Sequence, residues 1–213
     1  MTAYDGTSAA SSARNGSGEG WVDPRWVEQV LLAAPSVGMV RLVCVDGPAG
    51  SGKTTLATAL AARLEQTFGE VAVVHGDEVY EGWAVVVGTR DRVEAFARLA
   101  DRLDGWLLER WRRGYDGEHP RWDWHARQWS ESTVVVPPVP VVILEGVGLA
   151  ARTLRAHAVL SVWVDADDDV RLARVLERDG ESLRGEMLTW QRDESAWHLL
   201  DETAEGCDVR HRT

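Results

Sequence analysis

Apolar positions fall into blocks along this chain, and the blocks change period from one to the next. The first twenty residues, rich in Ser, Gly and Ala, carry too little to bury and are read as disordered. Trp26, Val30 and Leu31 then share one face of a helix predicted over residues 24–34, with Pro24 suited to its first turn. Val40, Leu42, Val43, Cys44 and Val45 form a nearly unbroken apolar run, the pattern of a strand buried on both faces. Leu56, Leu60 and Leu64 recur every four residues with alanines between them, which predicts a helix stopping at Gly69. The stretch EVAVVHGDE, residues 70–78, reads as the next strand. Strand, Gly-rich loop, helix and strand in that order make a parallel crossover.

A long helix is predicted over residues 91–113. Asp91 and Glu94 resemble a capping box, and Val93, Phe96, Ala100, Leu103 and Leu107 form the inward stripe. Residues 114–138 read as irregular and end in VVVPPVP, a stiff turn. Two more buried strands follow, VPVVILEG and AVLSVWVDA. A helix begins near Asp167, where Asp168 and Asp169 suit its positive end. Another spans residues 185–203, and CDVRHRT predicts a last short strand. No internal repeat is visible. The pattern predicts an α/β fold, with a mainly parallel central sheet of about five strands, in one domain over residues 21–213.

Composition narrows the function. The formal charge of −11 argues against nucleic acid or an anionic membrane surface as the main partner, because both demand a basic face. It leaves room for a buried phosphate site, which needs only a few local donors. No apolar run reaches membrane-spanning length, and the start lacks the apolar middle of a signal peptide, so a soluble, cytoplasmic protein is expected. Cys44 and Cys207, both in segments read as strands, are then expected to be reduced thiols. Tryptophan is abundant at 11 residues, and Trp106, Trp111, Trp122, Trp124 and Trp129 fall close together. They serve either as core or as walls for a planar ligand.

The sharpest motif is Gly47-Pro48-Ala49-Gly50-Ser51-Gly52-Lys53-Thr54, which matches G-x-x-x-x-G-K-[ST] in full and continues into Thr55. Glycines let the backbone curl so that successive N–H groups point at phosphate oxygens, and the following helix adds its positive end. Lys53 is expected to reach the β- and γ-phosphates and Thr54 to ligand Mg²⁺. Glu145, directly after four apolar residues, suits the second metal position. Asp77, just past the second strand, suits a base for an acceptor hydroxyl, and it equally suits a solvated turn. Arg171, Arg174 and Arg178 lie on one helical stripe that either closes over a phosphoryl group or pairs with neighbouring acids. In an extended RWDWH, Trp122 and Trp124 point one way and Asp123 the other. No Asn/Thr-Lys-x-Asp stretch of the GTPase type appears, so ATP is the expected donor.

Together these residues, over about 40–208, resemble the uridine kinase-like branch of the P-loop nucleoside kinases, related to phosphoribulokinase and bacterial pantothenate kinase. The likeness lies in the phosphate loop, Asp77-Glu78-Val79-Tyr80, Trp122-Asp123-Trp124, Leu144-Glu145-Gly146, and the pair Arg171-Leu172-Ala173-Arg174 and Arg178-Asp179. It implies a P-loop three-layer sandwich with a small helical lid over about 171–185. It further implies transfer of the γ-phosphoryl of ATP, with Mg²⁺, to an alcohol such as a nucleoside. Asp77, Lys53 and Arg174 would be catalytic. Residues 47–55 and Arg178 would bind the nucleotide, Thr54 and Glu145 the metal, and Tyr80, Trp122, Asp123, Arg127 and Arg171 the acceptor. Two departures stand out. The family's base-reading His would fall at Arg127, the nearest His being His125, and residues 81–91 lack the ribose-gripping Phe-Asp pair. A nucleoside monophosphate kinase using Arg121 and Arg127, and a regulator that binds ATP without transfer, are the competing readings.

Overall fold

The computed structural model describes residues 18–213. Most of the segment expected to be disordered, residues 1–17, lies outside them; Gly18–Trp21 form a 3₁₀ turn. Helix α1 (Pro24–Leu32) starts where expected, its first turn capped by Asp23, whose carboxylate accepts the Arg25 N–H at 2.9 Å. Strand β1 (Arg41–Asp46) leads into the glycine-rich loop and helix α2 (Lys53–Phe68), which stops at Gly69. Strand β2 (Val71–His75) runs into a single helical turn, α3 (Gly76–Val79), that carries Asp77.

The long helix is interrupted. Helix α4 (Arg92–Leu103) starts at Asp91, whose side chain accepts the Glu94 N–H at 2.8 Å. A π turn over Asp104–Leu108 follows, and then α5 (Glu109–Arg112). The wider turn keeps Leu103, Leu107, Leu108 and Trp111 all fully buried, and that burial outweighs a regular hydrogen-bond ladder.

Residues 114–138 are not irregular. They form an antiparallel hairpin of β3 (Gly117–Asp123) and β4 (Gln128–Val136). Pro120 obscures it in the sequence. The register shifts between Pro120 and Trp122, an irregularity of the kind that admits proline into a strand. Trp122 and Trp129 pair across the strands edge to face, with ring centres 5.3 Å apart. Trp111 Nε1 donates to Val136 O at 2.9 Å and moors the hairpin to the helical layer.

The remainder comprises β5 (Val141–Glu145), α6 (Arg152–Arg155), β6 (Ala158–Asp165), α7 (Asp168–Asp179), α8 (Arg184–Asp201), α9 (Thr203–Gly206) and β7 (Val209–Arg212). Cys207 precedes the last strand instead of lying in it, and both cysteines are free. Five strands form one sheet in the order β2-β5-β1-β6-β7, with every pairing parallel.

Side chains of the central strands alternate between two cores, as period-two geometry requires. Leu42, Cys44, Val142 and Leu144 face the layer with Phe96 and Trp197, while Val43, Val45, Val141 and Ile143 face Leu56 and Leu60 of α2. This is the three-layer sandwich of a P-loop fold. Its parallel strands deliver the glycine loop, α3 and Glu145 to one carboxyl edge, since Glu145 pairs in register with both Val45 and His75. Among the described residues, no helix is long and apolar enough to cross a membrane.

Candidate active site

At that carboxyl edge lies a cavity of about 770 Å³. A depression of about 470 Å³ lined by Asp101, Asp104, Thr153 and His157 is elsewhere and gathers no phosphate-binding groups. The glycine loop forms the cavity floor through Ala49, Gly50, Gly52, Lys53, Thr54 and Thr55. Gly47, Pro48 and Ser51 build the loop without lining the cavity. Gly47 and Gly50 have φ of 144° and 80°, and any side chain there would drive into the carbonyls of Val164 and Arg171. The buried Lys53 turns back so that Nζ donates to Pro48 O at 3.0 Å.

Thr54 Oγ1 donates to the Glu145 carboxylate, 3.2 and 3.3 Å from its two oxygens. His75 Nδ1 lies 2.6 Å from Glu145 Oε1, and this hydrogen bond raises the imidazole pKa. Hydroxyl and carboxylate oxygens are the hard donors that suit Mg²⁺, and the glycine loop at the start of α2 suits a polyphosphate. The residues present therefore fit Mg·ATP.

Asp77 faces the same cavity. Its carboxyl pKa is raised, first by burial and then by the charge of Glu145, with Arg178 and Lys53 opposing the rise. The side chain keeps open surface toward the cavity while protein crowds around it, so water in the cleft tempers the shift. Asp77 and Lys53 thus share one cavity on one side of the sheet.

The three arginines of the α7 stripe separate. Arg174 and Arg178 line the cavity, and Arg174 Nη1 reaches Gly50 O at 3.3 Å and Thr213 Oγ1 at 2.8 Å. Arg171, expected at the acceptor, is instead buried under the loop and bonded to Glu194 and Asp168. The shared stripe was legible; which arginine the glycine loop covers depends on tertiary packing.

One side of the cavity is aromatic. Trp122 and Trp124 both line it, but only Trp122 is in an extended strand; Trp124 lies in the turn after Asp123, where its Nε1 donates to the Asp77 carbonyl at 2.8 Å. Asp123, expected to touch the acceptor, accepts the N–H groups of His125 and Ala126 at 2.8 Å each and closes the hairpin turn. Arg127 lines the lip at a left-handed φ of 52°. Tyr80 borders the cavity with its hydroxyl donating to Val147 O at 2.9 Å.

Sequence reasoning missed several members. Trp83 and Trp190 complete the aromatic wall, with ring centres 5.7 Å apart. Asp46 is fully buried beneath the loop. It accepts from Gly47 N at 2.6 Å, Gly148 N at 3.1 Å and Ala150 N at 2.8 Å, and lies 3.2 Å from His198 Nε2. Burial pushes its pKa up, but the hydrogen bond and charge of His198 and the backbone donors outweigh it, leaving the pKa lowered. The signal was available: an acid ending an apolar run, and polar positions 194 and 198 on the inward stripe of α8.

Comparison with known proteins bears on this site. The phosphoribulokinase / uridine kinase family model matches residues 42–190. A uridine kinase of Lactobacillus johnsonii is 34% identical over 143 residues, covering 65% of this chain and 67% of that protein. A uridine kinase of Borrelia duttonii is 25% identical over 183 residues, covering 80% of this chain and 85% of that protein. The structure of a possible uridine kinase from Bacillus stearothermophilus superposes with a TM-score of 0.60 at 21% identity, covering 88% of this chain and 97% of that one, a likeness of fold. The chain belongs to the phosphoribulokinase / uridine kinase family.

Proposed function

We propose that this protein is an ATP-dependent kinase that phosphorylates a hydroxyl group of a small molecule, a nucleoside being the acceptor its aromatic wall suits best. The observation that carries this reading is the shared cavity: Asp77, Lys53, the Thr54–Glu145 pair, Arg174 and Arg178 all line it. Bound Mg·ATP would supply the phosphoryl group and a divalent charge. Residues 49–55 and the start of α2 would hold the phosphates, and Thr54 with Glu145 the ion. Asp77, kept basic by its crowded setting, takes the proton of the acceptor hydroxyl. Lys53, Arg174 and Arg178 spread the charge that develops on the moving group. Trp83, Trp122, Trp124 and Trp190 flank the acceptor and exclude water, which suppresses hydrolysis.

The test is ADP release with nucleosides, ribulose 5-phosphate and pantothenate offered in turn. Acceptor-dependent release with a nucleoside is expected. Slow turnover indifferent to every acceptor would overturn the kinase reading in favour of a nucleotide-binding regulator. One observation favours a second reading, a nucleoside monophosphate kinase: Arg121 and Arg127 both line the acceptor side, where an acceptor phosphate would sit. Arg121 is 3.5 Å from Glu78, which already takes up part of its charge. Uridine outperforming its monophosphate supports the nucleoside; the reverse order supports the monophosphate.

A further inference from the structure

We propose that Glu194 is a positioning residue for the phosphate loop, gripping the Ala49 backbone together with Arg171 and tying it to the cavity wall through Trp190. The inference rests on the donor half of the proposed function and requires no particular acceptor.

Glu194 lies on α8 with 0% exposure, and Arg171 lies on α7 with 4%. Glu194 Oε2 accepts the Ala49 N–H at 2.9 Å and the Trp190 indole N–H at 2.8 Å. Its Oε1 accepts from Arg171 Nη1 at 3.1 Å, and the same Nη1 lies 3.4 Å from Ala49 O. Both polar atoms of one loop residue are therefore held by one ion pair. At the other end of the peptide that carries the Ala49 N–H, Pro48 O receives the Lys53 ammonium at 3.0 Å. The Pro48–Ala49 peptide plane is thus fixed on one side by Glu194 and on the other by Lys53. Turning that peptide would release the group that holds Lys53 in place.

A buried ion pair is a poor route to stability alone, because desolvation consumes most of the attraction. Burial indeed raises the Glu194 pKa, opposed by the Ala49 N–H and by the charges of Lys53, His198 and Arg171. What the pair supplies is geometry. Phosphate binding and transfer both depend on loop placement to a fraction of an ångström, and a misplacement of about 1 Å costs on the order of a hundredfold in rate. Arg171 also carries the constraint into α7, one turn ahead of Arg174. Loop, lid and acceptor wall therefore meet at one carboxylate.

The test is calorimetric titration of Mg·ATP into the full chain and its variants, each with its melting temperature measured. Glu194→Gln keeps one acceptor oxygen but loses the charge and puts an NH₂ donor where the second oxygen stood, and Glu194→Ala loses every acceptor. Mg·ATP affinity should fall in the order wild type, Gln, Ala, with Gln about tenfold weaker than wild type. Glu194→Gln combined with Arg171→Gln should be little worse than the weaker single variant, because the two act as a unit. Trp190→Phe keeps an aromatic ring in the wall while removing the indole donor and part of the ring's volume. It should weaken Mg·ATP binding severalfold and guards against Glu194 variants that do not fold. Variants that melt lower yet bind Mg·ATP within twofold of wild type would reduce Glu194 to a scaffold residue and overturn the proposal. A wild-type chain that binds Mg·ATP but phosphorylates nothing refutes the kinase reading while leaving this result intact. One that binds no Mg·ATP refutes both.

Discussion

A carboxylate that takes a proton from an alcohol needs a pKa lifted toward working pH, and at Asp77 burial and Glu145 supply the lift. The same lift has a thermodynamic consequence. A folded-state pKa above the unfolded value means that the folded chain binds the proton more tightly. The stability tied to that proton is full below the unfolded pKa and is lost as pH rises through the folded one. At neutral pH, ionised Asp77 is therefore a cost to the fold, a small one because its open surface lets water in the cleft screen the charge. Asp77→Asn removes both the base and the cost. Turnover should fall by about a hundredfold or more, while Mg·ATP affinity changes little. The melting temperature at pH 7 should rise slightly above wild type, with the advantage vanishing once pH falls below the ordinary carboxylate range. Matched pH-melting curves and initial rates check both halves. An Asn variant of unchanged rate would end the assignment of Asp77 as base, and one that melts lower at pH 7 would deny the burial argument.

At the scale of elements, the β3–β4 hairpin carries much of the cavity's aromatic wall and was the least legible part of the sequence. Alternation is weak there: Pro120 interrupts β3, Ser130–Thr133 of β4 are polar, and its one apolar run, Val134–Val136, is stopped by Pro137 and Pro138 and reads as part of a stiff turn. The buried parallel strands were readable because both faces demand apolar residues. The glycine loop was readable because its chemistry permits few alternatives. The hairpin's position depends instead on contacts distant in sequence, such as Trp129 Nε1 to Glu81 Oε1 at 3.0 Å and Trp124 Nε1 to the Asp77 carbonyl. These contacts seat the hairpin against α3 and the segment after it, the side of the cavity proposed for the acceptor. Trp124→Ala removes a stacking surface and should raise the acceptor KM by about tenfold or more, the worth of one ring–aromatic stack. The KM for ATP should stay within about twofold. Equal changes in both constants would mean that the hairpin shapes the whole cleft and not one half of it.

For the molecule as a whole, the question is how a chain of net charge −11 holds a polyanion. The cavity concentrates Lys53, Arg174 and Arg178 around the loop, but Asp77 and Glu145 stand in the same space. Those two carboxylates repel free ATP, and a divalent ion held by Thr54 and Glu145 would offset that repulsion, so affinity should depend steeply on Mg²⁺. Sequence disclosed the cations and the acids separately; only the shared carboxyl edge of β1, β2 and β5 makes them one electrostatic unit. Binding to the folded state alone stabilises it by about 2.7 kcal/mol at a ligand concentration a hundredfold above Kd. For a domain of this size that corresponds to a rise in Tm of about 5–10 °C. Melting the full chain with Mg·ATP, with ATP in excess chelator, and with Mg²⁺ alone separates the contributions. The full rise is expected only with both components, and a smaller one with ATP alone. An equal rise with ATP in chelator would mean that the Thr54–Glu145 pair holds no ion, and the placement of acid and base about the loop would then serve something other than phosphoryl transfer.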